Sequence, residues 1–158
     1  MDLMLIFADS SLINFHIIYI MVIVLHGDTN LQCTGSCYKY YELAKNLSTN
    51  DIIEFYDHEN KKKRLLFIKI DKLSNDENEG NCVLIKKNSI KPNLPSFDTY
   101  LSLNQKILLD DNLVSVCDLI NEDSIVNYNI KESDSFIKLG IEHEYCIVIN
   151  NLYALINN

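Results

Sequence analysis

Cysteine and histidine are the side chains here that can act as nucleophile, metal ligand or general acid near neutral pH, and they are scattered along the chain. Five cysteines stand at Cys33, Cys37, Cys82, Cys117 and Cys146. Their number is odd, their spacings are irregular and several lie inside apolar runs, which predicts buried free thiols in a reducing, intracellular compartment. Cys33 and Cys37 have the spacing of half a zinc site, but no second Cys/His pair answers it, and His26 and His58 are not arranged as partners. No metal or cofactor is expected. There is no glycine-rich phosphate loop, no G-x-S-x-G, no H-E-x-x-H and no EF-hand spacing. The acidic pairs Asp110-Asp111 and Glu122-Asp123 stand at expected turns and should face solvent.

The elements that would position these groups are short. A chain of 158 residues, 47% of them apolar, fits one domain with a real core. Its net charge of −8 argues against a nucleic-acid partner, because affinity for phosphate rests on clustered Lys and Arg. The dense basic run Lys61–Arg64 is flanked by Asp57, Glu59 and Asp71 and is expected to be a solvated hairpin tip. Four glycines, two prolines and no tryptophan, with heavy use of Asn, Ile, Lys, Asp and Tyr, resemble translation from an AT-rich genome.

Residues Met1–Leu25 form the most apolar stretch and divide the chain into an N-terminal strand or docking arm, 1–25, and a β-domain, 26–158. As a signal peptide the stretch lacks a basic start and a small-residue cleavage site. As a membrane span it is interrupted by Asp9, Ser10, Ser11, Asn14 and His16. Ile17–Leu25 is too short to span and rich in β-branched residues, so Ile17, Ile18, Ile20, Val22 and Val24 are the candidate interaction residues. A membrane anchor stays open as the alternative, as does Met21 as an ancestral start.

Beyond Gly27, short strands alternate with polar turns. Asp51–Tyr56 and Arg64–Ile70 flank a charged hairpin segment, Leu73–Asn81 reads as a mobile acidic loop, and Cys82–Ile85 is a strand. Lys91–Ser96 should be extended or turn-like. Tyr100–Leu103 and Lys106–Leu109 flank a turn, and Leu113–Val116 returns as a strand. Tyr145–Ile149 and Leu152–Ile156 form a final hairpin across Asn150-Asn151, a pair suited to positive φ. Helical spacing appears only in Tyr38–Leu47, where Tyr41, Leu43, Ala44 and Leu47 share a face. The tyrosines Tyr38, Tyr40 and Tyr41 suit either a contact patch or packing over the barrel. The pattern predicts a mostly all-β domain of short strands and hairpins, with at most one or two short helices.

The order of local patterns resembles the hedgehog/intein (Hint) family. Gly27-Asp28-Thr29 before a strand is similar to that family's opening block, and Leu43–Ile53, with Asn50-Asp51 at a Gly-Asp position, to its next turn. Val83–Ile90 and Asp98–Leu109 (DTYLSLNQKILL) resemble an apolar strand followed by D-x-x-L-S-x-x-H and two apolar residues. Leu113–Leu119 (LVSVCDL) is similar to the L-V-x-A-x-D-L run that follows. The resemblance covers Met21–Asn158 and is strongest from Asp98 to Leu119. Variants of this kind, with similar composition, occur among giant DNA viruses of protists.

The resemblance implies an acyl shift: a Cys or Ser at the domain's first position attacks the preceding carbonyl, and a histidine protonates the leaving nitrogen. The nucleophile would fall near Val24, yet Met21–Asp28 contains no Cys, Ser or Thr. Gln105 stands at the histidine position, and a neutral amide cannot serve as the acid. His26 lies in the opening block, but a lone histidine is more often a surface or hydrogen-bonded residue. Asn157-Asn158 is similar to the terminal Asn of inteins and more readily ends a strand. The expectation is a catalytically inactive Hint-like domain acting as a structural or interaction protein among other protein subunits, as a minor capsid component of a large DNA virus particle. The alternatives are autoprocessing through Cys33 or Cys37, and a protein anchored in a membrane by its N-terminal segment.

Overall fold

Among the described residues, fourteen β-strands of four to six residues account for more than half of the backbone, and helical backbone is confined to the 3₁₀ turns Ala44–Asn46 and Val116–Leu119. The structure, a computed structural model, describes residues 21–35, 37–49, 51–67, 69–73, 81–141 and 145–156. The strands are β1 (Met21–His26), β2 (Asn30–Thr34), β3 (Lys39–Leu43), β4 (Ile52–Asp57), β5 (Lys62–Phe67), β6 (Lys69–Leu73) and β7 (Cys82–Ile85). There follow β8 (Thr99–Ser102), β9 (Lys106–Leu109), β10 (Asn112–Ser115), β11 (Ile125–Tyr128), β12 (Phe136–Ile141), β13 (Cys146–Ile149) and β14 (Leu152–Leu155).

Among the described residues, all pairings are antiparallel and fall into three sheets. The largest runs β10-β9-β14-β13-β2-β4-β5, with β3 added beside β2. The two three-stranded sheets are β1-β12-β6 and β11-β7-β8. One apolar core joins all three: Leu31, Ile53, Phe55, Ile107 and Ile147 from the large sheet meet Leu25, Ile137 and Leu139 from the second and Val83, Ile85 and Leu101 from the third. Removing each such side chain from water contributes about 2 kcal/mol. The all-β expectation is met.

Hairpins expected from turn chemistry are in place. Asn150 and Asn151 adopt φ of 49° and 70° between β13 and β14, and Asp110 and Asp111 adopt 47° and 64° between β9 and β10. Both central residues have positive φ, the twist that two-residue hairpins require, and Asn and Asp tolerate it best after glycine. Lys61, at φ 49°, turns the β4–β5 hairpin, so the basic run does sit at its tip.

Three segments depart from the periodicity. Tyr38–Leu43 is no helix: Lys39–Leu43 pairs residue by residue with Thr34–Asn30, and only Ala44–Asn46 turns helically. Tyr41 and Leu43, two of the four residues with helical spacing, stand on an edge strand instead. Arg64–Ile70 is not one strand, because β5 pairs with β4 up to Phe67 whereas β6 pairs with β12 in another sheet. Likewise β8 and β9 flank a turn without pairing: β8 joins β7, and β9 joins β10 and β14.

The N-terminal candidates divide. Ile17, Ile18 and Ile20 lie outside the described residues, as do 74–80 of the acidic loop and Asn157-Asn158. Met21–His26 pairs with Ile141–Phe136, which sets Val22 opposite Gly140 and Val24 opposite Lys138. Val24 is half-buried. Among the described residues, no helix is long and apolar enough to cross a membrane.

Candidate functional site

His26 ends β1 and is 3% exposed. Two small sheets meet around it. Phe136, its register partner on β12, presents a ring edge at 5.2 Å between centroids. Tyr100 of β8 stacks at 4.4 Å and Tyr128 of β11 approaches edge-on at 5.7 Å. Sequence separations of 74 to 110 residues hide this cage from any local pattern.

Both imidazole nitrogens are engaged. The Asp28 backbone N–H donates to Nδ1 at 3.1 Å, so Nδ1 carries the lone pair and Nε2 the proton. Nε2 faces Asp134 Oδ1 at 3.3 Å, a polar contact off the line of a full hydrogen bond. Asp134 is held in turn by the Lys131 N–H at 2.7 Å and the Tyr128 hydroxyl at 3.0 Å. Burial pushes its carboxyl up, but these donors and His26 outweigh burial and hold it below the usual range. The Tyr128 hydroxyl is raised to about 12 by burial and by Asp134.

The Asp134–His26 pairing has the two residues of a carboxylate–histidine dyad but not an open second nitrogen. A general base needs one nitrogen oriented by a carboxylate and the other open towards the reacting group. Here the second nitrogen is capped by the Asp28 amide, and the ring is enclosed by three aromatic side chains. The arrangement ties β1, β8, β11 and the start of β12 together.

Gln105 lies elsewhere and shares no hydrogen-bond partner with His26. It is 9% exposed in the turn between β8 and β9, which its own N–H closes onto Ser102 O at 3.0 Å. Its Nε2 donates to Lys106 O at 3.1 Å and also to Leu155 O at the end of β14. Its main-chain oxygen accepts from the Val116 N–H at 2.9 Å. An amide nitrogen has two protons for two carbonyls, whereas one nitrogen of a neutral imidazole has a single N–H. Glutamine therefore suits this backbone junction better than histidine does.

All five cysteines are free, with Cys33, Cys82 and Cys146 buried and Cys37 and Cys117 exposed. The Cys33 thiol is raised to about 11 by burial, then by Asp51 and Glu42, and Cys82 to about 11 chiefly by burial. Neither provides much thiolate at neutral pH, and thiolate is the nucleophile. His58 joins no shared site with His26, and no group of three metal-ligating side chains gathers among the described residues. Asp134, Tyr100 and Tyr128 were not foreseen, and only the position of His26 in the opening block pointed towards them. No family model matches the chain, and no curated protein or solved structure matches it.

Proposed function

We propose that this chain is a non-enzymatic structural or interaction protein on an inactivated Hint-like β-domain, set among other protein subunits in a large DNA virus particle. The observation that carries the reading is Gln105: at the position where the resemblance calls for a proton donor, the amide is committed to two backbone carbonyls. The closed coordination of His26 supports it, since the nearest substitute acid has no open nitrogen. The strand at Val24 supports it too, with no Cys, Ser or Thr from Met21 to Asp28. The viral setting rests on the composition alone.

Lysine-directed cross-linking of the protein in its native setting, read by mass spectrometry, tests the interaction reading. Cross-links from Lys61, Lys91 or Lys138 to other polypeptides are the expected result. A protein recovered free, with only intrachain links, would remove it.

A further inference from the structure

Strands β4, β9 and β14 of the large sheet line a cleft of about 320 Å³ that neither His26 nor Gln105 touches. That volume is close to the smallest seen for specific ligand pockets, about 300 Å³. Its wall is a pair of half-buried rings, Tyr56 from β4 and Tyr153 from β14, parallel to within 6° with centroids 4.4 Å apart. Register explains the pair: Tyr56 stands opposite Cys146 and Tyr153 opposite Val148, so the rings rise on either side of β13 and close above it. Leu94, Leu108 and Leu109 supply apolar lining. At the mouth, the left-handed turn presents Asp110 and Asp111 with side chains 84% and 74% exposed.

We propose that this cleft is a docking site for an arginine side chain presented by a partner protein. A guanidinium is flat and weakly hydrated, stacks on aromatic faces, and its three methylenes suit leucine walls. Charge complementarity selects a cation: the lining holds two carboxylates against one lysine, in a chain of net charge −8. The protein already shows a cation seated at this mouth, because Lys91 Nζ lies 2.9 Å from Asp110 Oδ1. Asp111 is the carboxylate with the looser ion pair and so the one open to exchange. Its present partner, Lys61 at 3.3 Å, is 68% exposed, and an ion pair between two such groups yields readily to a better-placed cation. Arginine is favoured over lysine because only the planar fork can stack on tyrosine and engage a carboxylate together.

The test is a titration of the full chain followed by backbone amide NMR shifts, using N-acetyl-arginine amide and its neutral isostere N-acetyl-citrulline amide. The expected result is a saturable shift of the Leu109, Asp111 and Asn151 amides with the arginine probe alone. Asp111→Asn, which keeps a residue tolerant of positive φ, should weaken binding about fivefold. Tyr153→Leu should abolish saturation; if that variant does not fold, Asp111→Asn carries the test by itself. No saturable shift at these amides, an equal response to the citrulline probe, or an Asp111→Asn variant that binds like the parent would each overturn the proposal. Lysine cross-linking reads a different property, so the two readings fail separately.

Discussion

At the scale of single residues, His26 and Gln105 hold backbone together. His26 fills a cage of Tyr100, Tyr128 and Phe136, so His26→Ala empties a packed site and leaves Asp134 without its ring partner. A loss of about 3 kcal/mol is expected, read as a lower urea midpoint with unchanged slope. Gln105→Leu keeps the volume but leaves the buried Leu155 carbonyl without its donor, and should lower stability by about 1 to 2 kcal/mol in the same assay. Asp134 adds a pH dependence of definite sign. Its carboxyl is depressed in the folded state, so its contribution is fully present above the unfolded value of about 4 and is lost as pH falls through the folded one. An Asp134→Asn variant should therefore be less stable than the parent near neutral pH, with the gap narrowing in acid. A gap that widened in acid would contradict the assignment.

At the scale of elements, what was legible in the sequence was local. The pairs Asp110-Asp111 and Asn150-Asn151 announced two hairpins because positive φ at consecutive non-glycine residues is an Asn/Asp property. Cys82–Ile85 was readable as a strand from its short apolar run with β-branched residues. What stayed hidden depends on distant partners. Tyr41, Leu43, Ala44 and Leu47 carry helical spacing, yet β2 offers Tyr41 and Leu43 a strand to pair with. Nothing within Arg64–Ile70 says that its second half belongs beside β12. Glu54 shows the same limit: it is 1% exposed and bound at 2.8 Å by Lys39, reaching across β2 from β3, and by Lys63 from β5. Burial raises its carboxyl, but the two lysines outweigh burial and hold it low, while Lys63 is raised in return. Glu54→Gln should cost about 1 to 2 kcal/mol, because both lysine heads remain half in water. Gly27 is a position where a side chain has little room. A Cβ there would stand 2.1 Å from Ser135 Oγ and 3.1 Å from the Ser135 carbonyl that accepts the Gly27 N–H. Gly27→Ala should destabilise by about 1 to 3 kcal/mol, measured by thermal or urea denaturation.

At the scale of the whole molecule, two of the three sheets wait for strands β12 and β13 near the end of the described residues. β12 is the central strand between β1 and β6, and β13 lies between β14 and the β2–β4 pair. A chain truncated before Phe136 should therefore remain unfolded by far-UV circular dichroism, and the full chain should fold on the slow timescale of non-local β pairing. The same β-domain carries the central proposal, that the chain is a non-enzymatic protein and performs no acyl shift. The direct measurement is the intact mass of the full chain carrying an N-terminal fusion partner, incubated at neutral pH with and without a small thiol or hydroxylamine. A single unchanged mass is expected under every condition. Release of the fusion partner, abolished by Cys33→Ala or Cys37→Ala, would contradict it.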